Sequence, residues 1–190
     1  RDSSTSRGLG DVYKRQPVAT STFTDSRQIV EGSVFVAIAG ERVDGHDYVS
    51  KVGAQGAVAA IVDHEIDGAG VPQIVVEDTV LALGALAKHN IERRRALETP
   101  FTVIGITGSV GKTTTKDLMK ALLAHIGPTI APVGSFNNEI GLPLTSLKVH
   151  AETRFLVAEM GANHVGEIAN LTSLVPPDIA VVLNCLLYTS

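Results

Sequence analysis

Seven consecutive residues, Gly108-Ser109-Val110-Gly111-Lys112-Thr113-Thr114, place a glycine-bounded turn directly before a lysine and hydroxyl side chains. Glycines let backbone N–H groups turn towards one point, and a helix beginning at that point adds about half a positive charge there. Lys112 can reach terminal phosphates, and the Thr113 hydroxyl can ligate Mg²⁺. The general phosphate-loop pattern would put its first glycine at position 106, which is Ile106 here, so this is the shorter form G-x-x-G-K-T. The spacing predicts a nucleotide-phosphate site. A glycine turn carrying a solvated lysine is the bland alternative.

Other polar residues are candidates for the same site. Glu159 ends an apolar run, and one carboxylate beside the Thr113 hydroxyl and phosphate oxygens suits the octahedral shell of Mg²⁺. Asn137 and Asn138 either donate to phosphate or a metal's waters, or supply turn geometry. Lys116 and Asp117 read as solvated side chains. Glu167 suits the start of a helix through the dipole alone, and His164 reads as a loop or substrate-facing residue rather than a catalytic one. No His/Cys cluster suggests zinc.

These residues need elements to position them. Phe101 to Thr107 is a β-branched run, and Leu118, Met119, Leu122, Leu123 and Ile126 recur at helical spacing after the loop. Strands are expected at Val34–Ile38, Ala57–Val62, Gln73–Val76, Thr129–Ala131, Phe155–Ala158 and Ile179–Leu183, and helices near His46–Val52, Leu142–Lys148 and Val165–Leu174. A longer helix runs from a cap at Asp78 or Thr79 to about Leu97, with Leu83, Leu86, Ala87 and Ile91 inward. Arg93-Arg94-Arg95 lies in its last turns, where cations suit the helix dipole. Alternating strands and helices imply a mostly parallel sheet, with ligands beyond the carboxyl ends of its strands. The phosphate loop, Asn137-Asn138, Glu159 and Asn184 all fall there.

The expected fold is therefore α/β, with a small N-terminal α/β domain followed by a truncated mononucleotide-binding domain. Residues 17–99 form the first and 100–184 the second, divided at Thr99-Pro100. Arg1 to Gln16 and Cys185 to Ser190 show no pattern continuous with the rest and are expected to be non-native tails, the first having a native disordered tail as its alternative. Across 190 residues there are 16 basic and 20 acidic side chains, a net charge of −4, so no basic face for nucleic acid is implied. The one cysteine excludes an internal disulfide and fits a reducing cytoplasm. No apolar run reaches membrane-spanning length.

Three segments in order, TGSVGKTTTKDLM, SFNNEIGLPLTSL and AEMGANHVGEIANLT, resemble the ATP-binding central domain of the Mur ligases. TDSRQIVEGSVFVAIAGERVDGHDYV resembles that family's UDP-sugar-binding domain, and the motifs are most similar to the MurF type. The resemblance covers Ser21 to Asn184. It implies an ATP-dependent carbon–nitrogen ligase of peptidoglycan synthesis, and so of cell-wall biogenesis, cell shape and division. The reaction joins D-alanyl-D-alanine to UDP-N-acetylmuramoyl-tripeptide through an acyl phosphate. By resemblance Gly108 to Thr114 hold ATP phosphates, Lys112 and Glu159 are catalytic, with Lys112 stabilising developing charge and Glu159 holding Mg²⁺ together with Thr113, and Asn137 and Asn138 line the ATP site. Ser26 and Arg27 would meet the UDP part, with His46 nearby; a capped turn with an exposed cation is the other reading of Ser26-Arg27.

Family members continue past the Asn184 position to a metal-binding histidine, a modified lysine and a C-terminal domain. The chain is therefore expected to be a fragment, monomeric, unable to turn over and poorly soluble. A related Mur ligase adding the third stem-peptide residue, and a non-catalytic ATP- or UDP-binding module, are the alternatives. A small phosphate-loop kinase or GTPase lacks support, because no guanine-reading motif is evident.

Overall fold

Short β-branched runs separated by glycine turns and amphipathic stretches favour parallel strands with helical crossovers, and this pattern appears twice. The computed structural model describes residues 18–40 and 43–184. The two terminal stretches expected to be non-native lie outside the described residues. The chain divides into two compact units after Val75.

The first unit contains β1 (Ser21–Phe23), β2 (Ser33–Val36), α1 (Val49–Ala54), β3 (Ala57–Val62) and β4 (Gln73–Val75). Its strands form a parallel sheet in the order β1-β2-β3-β4. Short 3-10 turns, Ser26–Gln28 and Gly45–Tyr48, are each opened by an aspartate, Asp25 and Asp44, whose side chain accepts a backbone N–H. Phe35, Val49, Val52, Ala60 and Val62 form the core. The expected helix near His46 thus starts as a 3-10 turn. The β1 strand, whose three residues are only half-buried, carries too short a pattern to be read from sequence.

The second unit contains α2 (Thr79–Arg95), β5 (Thr102–Thr107), α3 (Lys112–Ala124), β6 (Thr129–Ile130), α4 (Gly141–Ser146), β7 (Phe155–Glu159), α5 (Glu167–Leu174) and β8 (Ile179–Val182). The sheet is parallel, in the order β6-β7-β5-β8. Leu142, Val103, Leu156, Ala158, Leu171 and Ile91 make one core cluster, and Ile104, Ile106 and Val157 make another on which Met119 and Leu123 pack. Each fully buried aliphatic side chain contributes about 1.5–3 kcal/mol.

Four features of the second unit differ from expectation. The sequence placed α2 in the first domain, but Ile91 lies in the second unit's core and Asn90 Nδ2 donates to the carbonyls of Ser146 and Val149 at 3.0 and 2.9 Å. Arg94 explains the placement. It is 4% exposed, and its guanidinium donates to the carbonyls of Thr153, Thr99 and Pro100 at 2.9, 3.2 and 2.9 Å while lying over the Phe101 ring. The arginine triplet is thus not merely a dipole-compensating tail: its middle member ties the end of α2 to the strands that follow. Leu86, expected inward, is 36% exposed.

The phase of α3 also differs. Leu118, Leu122 and Ile126 are exposed, whereas Lys116 is 1% exposed and falls on the buried side with Met119 and Leu123. Among the described residues no helix is long and apolar enough to cross a membrane.

Candidate functional site

The phosphate-type loop joins the end of β5 to the start of α3. Gly108 has φ +137°, and a Cβ there would come within 2.9 Å of the Leu183 side chain; Gly111, the residue before α3, has φ +85°. Both demand glycine for backbone reasons. No acidic side chain occupies the first turn of α3, so its positive end is left for an external anion. The Lys112 ammonium folds back onto the Gly108 carbonyl at 2.6 Å. Ser109 N–H donates to the carbonyl of Asn184 at 3.0 Å, which fixes the loop to the end of β8.

Parallel register brings the carboxylate to the loop. Ile106 of β5 pairs with Glu159 of β7, so the side chain emerges one strand away from the glycine turn. Glu159 is 1% exposed. Its Oε1 accepts from Thr113 Oγ1 at 3.3 Å and from Asn137 Nδ2 at 3.0 Å. Its Oε2 is buried without a hydrogen-bond partner. A buried carboxylate oxygen in that state is costly in a protein interior unless a cation or donor meets it. The donor set here, one carboxylate and one hydroxyl beside a glycine-lined anion cradle, fits magnesium better than a softer ion.

A cleft of about 280 Å³ is lined by residues 109–114, Ser135, Asn137 and Glu159. A second cleft of the same size shares Lys112 and Asn137 and extends over Asn138, Gly161, Asn163 and Glu167. The two asparagines have separated roles. Asn137 faces Glu159, while Asn138 Oδ1 accepts the N–H groups of Ile140 and Gly141 at 3.3 and 2.9 Å and shapes the turn into α4. The N–H of Asn163, with help from His164, holds the Glu167 carboxyl below the ordinary carboxylate range. Glu167 therefore organises its loop as an anion.

In the second unit, the role of Lys116 is not legible in the sequence. Its ammonium donates to the carbonyls of Pro132 and Gly134 at 3.1 and 2.9 Å and pairs with Asp117 at 3.0 Å. It thereby holds the loop that delivers Ser135 and Asn137 to the cleft. Its spacing from Met119 and Leu123, three and seven residues, was the available signal.

Ser26 and Arg27 lie in the first unit and line a cleft of about 580 Å³ with Asp25, Phe35, Tyr48 and Lys51. Arg27 grips Asp25 in a forked pair, Nε at 2.9 Å and Nη2 at 2.7 Å, and this side-chain contact lowers the Asp25 pKa to about 2. Tyr48 and Lys51 were not singled out by the sequence. His46 does not line that cleft; it is 5% exposed, with its ring between Asp44 and Asp63.

Comparison with known proteins bears on both units. Residues 20–91 match the family model described as Mur ligase family, catalytic domain, and residues 106–185 match the Mur ligase middle domain. The chain is 42% identical over 175 residues to the UDP-N-acetylmuramoyl-tripeptide--D-alanyl-D-alanine ligase of Escherichia coli, covering 92% of this chain and 37% of the relative. The crystal structure of MurF from Acinetobacter baumannii superposes with TM-score 0.79 at 41% identity, covering 87% of this chain and 36% of that one. MurF ligase from Thermotoga maritima in complex with ADP superposes with TM-score 0.76 at 37% identity, covering 87% of this chain and 38% of that one. The chain thus spans a little over a third of the length of the relatives it matches.

Proposed function

The chain belongs to the Mur ligase family, and we propose that the protein is a ligase of the MurF type, joining D-alanyl-D-alanine to UDP-N-acetylmuramoyl-tripeptide at the expense of ATP. The observation that carries this reading is the convergence of Lys112, Thr113, Asn137 and a buried, half-unpartnered Glu159 on one glycine cradle. Names of relatives at about 40% identity support the choice of substrates over those of the ligase that adds the third stem-peptide residue.

In this account the loop N–H groups from Gly108 to Thr114 hold the ATP phosphates at the positive end of α3. Lys112 leaves the Gly108 carbonyl for a phosphate oxygen and stabilises charge as it develops. Thr113 and Glu159 would hold Mg²⁺, which when bound neutralises the phosphate oxygens. Asn137 keeps the Glu159 carboxylate aimed at the cleft, and Lys116 holds the loop that carries Asn137.

The tripeptide carboxylate attacks the terminal phosphorus, releasing ADP and forming an acyl phosphate. The D-alanyl-D-alanine amine then attacks the acyl carbon, and phosphate leaves with the bonding electrons. In the first unit, the cleft of Ser26, Arg27, Tyr48 and Lys51 combines aromatic and cationic groups suited to a uridine diphosphate. We place the reaction in the cytoplasm and assign a monomer.

The deciding experiment is a phosphate-release assay on the protein as encoded by its gene, with the UDP-tripeptide and a panel of amines. Turnover with D-alanyl-D-alanine is expected. Turnover with a free diamino acid but not with D-alanyl-D-alanine would move the protein to the ligase that adds the third residue. ATP binding with no phosphate release from any pairing would leave a nucleotide-binding module.

A further inference from the structure

A second polar cluster, which the ligase reading does not use, lies at the carboxyl end of β3 in the first unit. Asp63 and His64 directly follow Val62, and His46 reaches them from the 3-10 turn Gly45–Tyr48. The nitrogen His46 Nε2 is 3.1 Å from Asp63 Oδ1. His64 Nδ1 meets the same Asp63 oxygen. The two imidazoles stack with centroids 4.7 Å apart and planes 26° from parallel. One ligand atom from each of the three residues lies within 4.8 Å of the others.

Three features make this more than a hydrogen-bonded knot. The His46 ring is held from behind: Asp44 Oδ1 lies 2.6 Å from Nδ1 and also accepts the His46 N–H at 2.9 Å. A carboxylate accepting the Nδ1–H hydrogen bond keeps the proton on Nδ1 and the lone pair on Nε2, aimed at Asp63, and makes that nitrogen a better donor to metals. The Nε2–Oδ1 separation is close to the roughly 3.3 Å between two ligands held tetrahedrally at about 2.0 Å from zinc. Finally, His64 is 60% exposed at its side chain, which leaves an open approach from solvent to the three donors. In the structure the Asp63 N–H, 3.2 Å away, contacts His46 Nε2; an ion would take that lone pair instead.

We propose that His46 Nε2, Asp63 Oδ1 and His64 Nδ1 form a three-ligand site for one divalent ion of Zn²⁺-like softness, with Asp44 orienting His46. Two imidazoles and one carboxylate favour such an ion over magnesium, which takes oxygen donors. The site is separate from the Thr113–Glu159 pair in residues and in the ion it selects.

The test is titration of the chain with Zn²⁺ against a chromophoric chelator in excess Mg²⁺, followed by Co²⁺ substitution read by visible absorption. One Zn²⁺ per chain is expected, with intense Co²⁺ bands of a four- or five-coordinate ion. His64→Ala, at an exposed position that leaves the fold standing, should weaken Zn²⁺ binding by about tenfold or more and abolish those bands. Asp44→Asn should weaken binding by about tenfold while keeping the bands, the pattern expected of a positioning partner rather than a ligand. Equal Zn²⁺ affinity in wild type and His64→Ala, or no high-affinity equivalent at all, would overturn the proposal and leave the cluster a hydrogen-bonded clasp between the turn and β3.

Discussion

Thr113 and Glu159 are 46 residues apart in sequence, yet the Thr113 hydroxyl donates to Glu159 Oε1 at 3.3 Å. The pairing of β5 with β7 makes the contact, and it leaves Oε2 buried and unpartnered. Glu159→Gln keeps an acceptor for Thr113 and Asn137 but removes the charge. It should weaken Mg-ATP binding by about tenfold or more, equal to ~1.4 kcal/mol, while leaving folding stability unchanged or raised. Calorimetry with Mg-ATP and a urea melt check both halves; loss of stability with unchanged ATP affinity would make Glu159 a structural residue.

Lys116 offers a test of positioning without contact. Lys116→Met keeps most of the side-chain volume and abandons the Pro132 and Gly134 carbonyls. The expected cost is about 1–3 kcal/mol in urea unfolding. Mg-ATP affinity should also fall as the Ser135–Asn137 segment loosens. Faster amide hydrogen exchange across 132–138, with α3 still protected, would locate the effect.

Arg94 should matter more to stability than its place in an arginine triplet suggests. Arg94→Ala strands three carbonyl groups and removes the cover from Phe101, for an expected loss of about 2–4 kcal/mol. Arg94→Lys keeps the charge but cannot span the three acceptors, and should fall between wild type and alanine. A chemical melt in which both variants match the wild type would remove Arg94 from the account of how α2 joins the second unit.

Acid titration tests the Asp25–Arg27 pair. Arg27 pulls the Asp25 pKa down from its ordinary 3.8 to about 2. The folded state therefore binds fewer protons than the unfolded one, and the pair's stabilisation is present above about pH 4 and lost as pH falls towards 2. Carboxyl NMR should show Asp25 titrating near 2 in the wild type and returning towards 3.8 in Arg27→Ala. An unshifted midpoint in both proteins would mean the pair does not persist in solution.

The parts of the site legible in the sequence are those fixed by backbone chemistry. A glycine turn after a β-branched run and before Lys112 specifies its own geometry, and strand-end positions become neighbours once the sheet is parallel. Asp78 was likewise readable as a cap, and its side chain accepts the Val80 and Leu81 N–H groups. What stayed hidden depended on which polar groups are buried. Lys116 and Arg94 look like surface cations until the carbonyls they satisfy are known, and those carbonyls lie in loops whose path the sequence pattern does not give. The phase of α3 was misread for the same reason, because its buried face is led by a lysine and its exposed face carries Leu118 and Leu122. Helix α2 follows the first unit in sequence, but Asn90, Ile91 and Arg94 find their partners further along the chain.

In the proposed ligase the Gly108–Thr114 cradle binds the phosphates of ATP through Lys112 and the positive end of α3. Calorimetric titration of the chain with Mg-ATP, in wild type and Lys112→Ala, tests it most directly. Saturable one-site binding is expected, weakened by the substitution by about tenfold or more, equal to ~1.4 kcal/mol, with the melting temperature little changed. Equal affinity in the two proteins would contradict it.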